Sequence, residues 1–166
     1  MRNKGFTLLE LVTVISIISI LIATGVPSFV SYQRHNSIRI AAQDIKSFLV
    51  EARTLSLNPR PEDKGKQYYY VEIGSLSISL KVNDTAESIK GPIEFGNDVQ
   101  VDQEGWGTYK FNIPSGDPDF GGADPTKNAT IILKFKNEQE SEKRFKQTIV
   151  ADGIGGDVKI TEGVNE

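Results

Sequence analysis

The sequence predicts an α+β chain: one long N-terminal α-helix followed by an antiparallel, sandwich-like β head. Three observations lead there. Residues 11–32 form an uncharged apolar run. From Ile38 to Leu55, apolar residues recur at three- and four-residue spacing, as on one face of a helix. From Gln67 onward the pattern changes to alternation, with turn residues between short runs.

The apolar run comes first. It is long enough to cross a bilayer, which takes roughly 20 residues. The hydroxyls of Thr13, Ser16 and Ser19 can bond back to their own helix carbonyls, so they do not forbid insertion. Arg2 and Lys4 precede the run with no acid beside them. That bias predicts a single pass with the N-terminus cytoplasmic. The site is then the cell (inner) membrane, with the rest of the chain periplasmic or extracellular.

Glu10 stands at the head of this run. A charged side chain in a membrane helix costs roughly 2.5–3.5 kcal/mol at the bilayer centre and less near its edge, so it calls for a partner. No Lys or Arg follows within twenty residues. Cutting the chain after Gly5 would create an α-amino group at Phe6, positively charged near neutral pH and one helical turn before Glu10.

The helical pattern resumes after Pro27. Ile38, Ala41, Ala42, Ile45, Phe48, Leu49, Ala52 and Leu55 form one stripe, with Arg34, Arg39, Gln43, Lys46 and Arg53 mostly off it. A helix over residues 7–57 would span roughly 75 Å. Gly25 and Pro27 are the expected kink, because proline removes a backbone donor and crowds the preceding turn. The prolines at 59 and 61 end the helix. Its first half is apolar all round (transmembrane over about 8–32) and its second half is amphipathic. The expected division is 1–5 leader, 6–57 helix and 58–166 head.

In the head, residues 68–73 are rich in strand formers. Leu76, Ile78, Leu80 and Val82 alternate with Ser77, Ser79 and Lys81, so Gly74-Ser75 reads as a hairpin turn. Further strands are expected at 93–95, 99–101, 109–113, 130–135, 145–150 and 158–161. Their spacing suits a sandwich or a pair of crossed sheets, covered on one face by the amphipathic half-helix.

Composition narrows the function. The net charge of −3 becomes about −5 without Arg2 and Lys4, which gives no electrostatic reason to expect nucleic acid. There are no cysteines and one histidine, His35, so neither a thiol nucleophile nor a histidine-based metal site is available. No hydrolase, zinc-protease or P-loop motif is present. No catalytic residues, cofactor, metal or small-molecule substrate are expected.

The segment Lys4-Gly5-Phe6-Thr7-Leu8-Leu9-Glu10-Leu11-Val12 resembles the class III signal of type IV pilins and type II secretion pseudopilins. The resemblance implies cleavage between Gly5 and Phe6 by a prepilin peptidase and N-methylation of Phe6. It also implies pairing of Glu10 with the Phe6 amine of an adjacent subunit during assembly. Pro27 resembles the family's helix-kinking proline. A secretory signal peptide cut near Ala23-x-Gly25, or a plain single-span anchor, would leave Glu10 without a purpose.

A second resemblance covers the rest of the chain. Residues 41–45 and 51–57, a 111–116 strand-to-turn with Pro114, and Gly155-Gly156-Asp157-Val158-Lys159-Ile160 are similar to the GspH/FimT group of minor pilins and pseudopilins. It implies a structural subunit in a type II secretion pseudopilus or type IV pilus, with other pilins, the peptidase and the membrane as partners. Some relatives in DNA uptake carry basic residues in the closing turn. Here Gly156 and Asp157 stand there, and only Lys159 is basic. The runner-up readings are a DNA-capturing or adhesive minor pilin, or a major pilin subunit.

Three head features remain. Acids at 117, 119 and 124 in the loop 114–125 could serve calcium, but Asp and Pro are also ordinary turn residues. Tyr68, Tyr69 and Tyr70 could form a stacking surface, although alternation sends neighbours to opposite faces. Trp106 between two glycines is either a partner contact or a cover for the core.

Overall fold

A computed structural model of the chain describes residues 7–83, 88–96, 98–120, 128–136, 146–153 and 157–163. Gly5, Phe6, residues 121–125 of the acidic loop, Phe145, Gly155 and Gly156 lie outside the described residues. Helix α1 runs Leu8–Leu57, and Gly25 and Pro27 are both helical. Thr7 caps its start: Thr7 Oγ1 accepts the Glu10 amide at 3.2 Å, satisfying one of the donors that a helix start leaves free.

The chain divides into two compact units, 1–36 and 37–166. The division falls inside α1 because residues 37–57 bury their apolar stripe in the head. Ile38, Ala41, Ala42, Ile45, Phe48, Leu49 and Ala52 are all buried, and Leu55 packs half-buried against them. Full burial of one such Phe, Leu or Ile stabilises by roughly 1.5–3 kcal/mol, so the stripe holds this half-helix to the head.

A 3₁₀ turn at Pro61–Asp63 leads into nine strands: β1 Tyr68–Ile73, β2 Ser77–Val82, β3 Ser88–Glu94, β4 Val99–Val101, β5 Gly107–Asn112, β6 Pro118–Asp119, β7 Ala129–Phe135, β8 Lys146–Ala151 and β9 Val158–Gly163. They form a five-stranded sheet, ordered β3-β2-β1-β5-β6, and a four-stranded sheet, ordered β4-β7-β8-β9. Every pairing among the described residues is antiparallel. The core joins the helix stripe to Tyr69, Val71, Ile78, Leu80 and Phe111 of the first sheet and to Val99, Ile131, Leu133 and Ile149 of the second.

The β1–β2 hairpin forms as its alternation predicts, with Ile73 opposite Ile78. Leu76 departs from the pattern: it is exposed and sits in the turn, where its carbonyl accepts the Phe95 amide. β3 starts at Ser88 rather than at residue 93, because an edge strand half-exposed on both faces carries no apolar alternation. β3 also meets β2 through an irregular register around Leu80.

Candidate functional site

Every large apolar side chain described from Leu8 to Tyr32 is exposed in this chain, Leu11 at 61% and Ile20 at 65% among them. Apolar surface covering all faces of a helix is far more than a soluble monomer leaves uncovered; lipid or other helices must take it up. The hydroxyls in this stretch are already satisfied. Thr13 Oγ1 donates to the Glu10 carbonyl at 2.9 Å, Ser16 Oγ to the Val12 carbonyl at 2.8 Å and Ser19 Oγ to the Ile15 carbonyl at 2.8 Å. Thr24 Oγ1 does the same toward the Ile20 carbonyl. Among the described residues, α1 is the one helix long and apolar enough to cross a membrane.

Glu10 lies in the first turn of α1 and is exposed. Thr7-Leu8-Leu9-Glu10 has the sequence form of a capping box, in which an acid three residues after the cap suits the positive end of the helix dipole. The bond present is from the Glu10 backbone amide to the Thr7 hydroxyl.

In the head, the segment leaving α1 is tied down by a buried polar cluster. Asp63, 4% exposed, accepts Arg60 Nε at 2.7 Å and the Tyr69 hydroxyl at 2.5 Å. Burial alone would raise the Asp63 pKa, but the hydrogen bonds from Arg60 and Tyr69 and the Arg60 charge outweigh it and hold the carboxyl below its ordinary range. Burial, then the bond to Asp63, pushes Tyr69 up. Nearby, Asn83 Oδ1 accepts the Gln67 amide at 2.8 Å and closes the open end of the hairpin. This cluster fastens the segment leaving α1 to β1.

The remaining candidates separate. Arg34, Arg39 and Lys46 are exposed, whereas Arg53 is half-buried, its Nε buried without a partner among the described residues. Of the three tyrosines, Tyr69 is core; Tyr68 and Tyr70 share the outer face of the first sheet, ring centroids 6.0 Å apart. Trp106 is 46% exposed, and its indole N–H donates to the Val101 carbonyl at 3.0 Å, so it flanks the core instead of sealing it. Asp117 is exposed and Asp119 half-buried. Among the described residues no cluster of three or more His, Cys, Asp or Glu side chains could hold a metal ion. A polar groove of about 320 Å³ on the first sheet is lined by Glu72, Gly74, Ser77, Ser79, Lys81, Ser88 and Pro92.

A helix apolar on all sides with an acid in its first turn, leading into an antiparallel β head, is an α+β, pilin-like arrangement. Residues 1–26 match the family model of the prokaryotic N-terminal methylation motif. Over 46 residues the chain is 41% identical to the type IV major pilin protein PilA of Myxococcus xanthus (strain DK1622), a match covering 28% of this chain and 21% of that protein. The matched segment thus spans about a fifth of that relative's length. No solved structure matches the chain.

Proposed function

We propose that this chain is a non-enzymatic minor pilin or pseudopilin of the GspH/FimT type. It is cleaved after Gly5 and N-methylated at Phe6 by a prepilin peptidase. It is held in the inner membrane by residues 8–32, N-terminus cytoplasmic, until it joins a type II secretion pseudopilus or type IV pilus. The driving force for assembly is transfer of the apolar helix from lipid into a bundle of other pilin helices. Glu10 pairs there with the Phe6 amine of a neighbour, and Gly25 and Pro27 are the easiest point for the helix to bend. The single observation that carries this reading is an apolar helix surface left uncovered on every side, headed by Glu10.

The mass of the membrane-extracted protein tests it. Loss of residues 1–5 and gain of one methyl group is the expected result. Cleavage after Gly25 would make the helix a discarded signal peptide and overturn the reading.

A further inference from the structure

The polar groove on the outer face of the five-stranded sheet is a concavity among the described residues that the filament reading leaves unused. We propose that it binds a neutral carbohydrate. The inference rests on the head alone and stands independently of filament assembly.

The groove exists because of the β2–β3 irregularity. The register slips between Ile78 and Leu80 and again between Leu80 and Lys81. Gly91, at φ +84°, brings its backbone so close that a Cβ there would lie 2.7 Å from the Ile78 carbonyl oxygen. A bulge of this kind bends the edge strand and re-aims its neighbours. Ser77, Ser79 and Lys81 of β2 then face one wall with Ser88 and Pro92 of β3, and Glu72 of β1 adjoins them.

The lining chemistry is that of a polyol partner. Three serine hydroxyls each donate and accept, a carboxylate accepts and an ammonium donates. Glu72 and Lys81 are held together, Nζ to Oε2 at 2.5 Å, so both polar heads are preset above the sheet. Tyr70 lies directly across from Lys81 in register and is half-buried on the same outer face, next to the lining residues. The volume of about 320 Å³ is at the small end of ligand pockets, suited to the end of a glycan.

Electrostatics separates this from a base-stacking surface, which would also use Tyr68 and Tyr70. Binding of a nucleic acid strand needs a basic track for its phosphates. Lys81 is ion-paired, and Lys110 Nζ sits 4.9 Å over the Tyr68 ring, occupying it. Across the same face Glu72, Glu94 (opposite Ser77) and Asp119 (opposite Lys110) stand against those two lysines. A face neutral to slightly acidic repels a polyanion and leaves an uncharged sugar unaffected.

The experiment uses the full chain in phospholipid nanodiscs, free of sugar-headed detergents. Glucose, galactose, mannose, N-acetylglucosamine and a thymidine oligonucleotide are titrated by NMR. Saturable binding of at least one sugar, in the range of about 1–10 mM, with shifts at Ser77, Ser79 and Lys81 and no dependence on salt, is the expected result. Glu72→Gln and Ser77→Val, both surface changes on formed strands, should each weaken it about tenfold; Lys159→Ala on the other sheet should leave it unchanged. No saturable sugar, equal affinity in both groove variants, an effect of Lys159→Ala, or salt-sensitive oligonucleotide binding at this face would overturn the proposal.

Discussion

The Tyr69 hydroxyl donates to Asp63 Oδ2 at 2.5 Å, joining the first core tyrosine of β1 to the turn that leaves α1. Arg60 completes the link from the other side, and its backbone amide reaches the Tyr69 oxygen at 3.3 Å. Helix end and sheet start are therefore fastened through one carboxylate. Tyr69→Phe should destabilise the head by about 1–3 kcal/mol, because a buried acceptor loses a donor; chemical denaturation of the wild type and variant measures it.

The same cluster sets an acid limit. Asp63 has a folded pKa below its ordinary 3.8, so its contribution is present above that value and lost as pH falls through the lower folded one. Tyr69 is shifted upward from 10.0, so its contribution is present below pH 10 and lost as pH rises above it. Stability against pH should show a plateau bounded by these two losses. Asp63→Asn should remove the part of the acid decline that this residue causes, which denaturation midpoints across the acid range would reveal.

Tyr109 gives a separate alkaline signature. It is buried, donates to the Gly105 carbonyl at 2.9 Å, and burial pushes its pKa up to about 12. The protonated form is favoured by folding, so this contribution holds below about pH 10 and disappears by about pH 12. In an absorbance titration of phenolate, one tyrosine should ionise last, together with unfolding. Tyr109→Phe should abolish that late component and cost about 1 kcal/mol at neutral pH.

What was legible in the chain followed from periodicity. The stripe from Ile38 to Ala52 is buried as its spacing requires, and β1 with β2 alternates because one face of that hairpin meets the core. β6 was not legible: two residues, Pro118 and Asp119, pair only with β5 and show no period. Asp63 was equally hidden, since an acid between prolines and lysines reads as solvated until Tyr69 and Arg60 close over it. The groove depends on a register slip, which alternation alone does not encode. Glu10 was legible as an anomaly, and its tie to Thr7 only as a local spacing.

Glycine substitutions should separate the two units. Gly91→Ala must place a Cβ 2.7 Å from a backbone oxygen at positive φ, which neither rotamer change nor side-chain motion can relieve. A loss of about 2 kcal/mol or more is expected, with the head unfolding at lower denaturant. Gly25→Ala meets nothing within 4 Å and favours the helix by up to about 1 kcal/mol, so head unfolding should not move. A Gly91→Ala head as stable as wild type would refute the close β2–β3 approach.

Glu10 carries two roles that substitution can divide. As the third residue of a Thr7-capped helix, it helps the helix start, and glutamine serves that role as well as glutamate. As a partner for a neighbour's Phe6 amine, it must be charged, and glutamine fails. Glu10→Gln and Glu10→Ala should both be inserted and processed yet recovered poorly in sheared filaments. Thr7→Ala weakens the cap by about 1 kcal/mol but keeps the charge, so its filaments should be recovered near wild-type levels. Wild-type filament recovery for Glu10→Ala would remove the pairing role altogether. Wild-type recovery for Glu10→Gln alone would leave Glu10 a helix-starting residue whose charge assembly does not use.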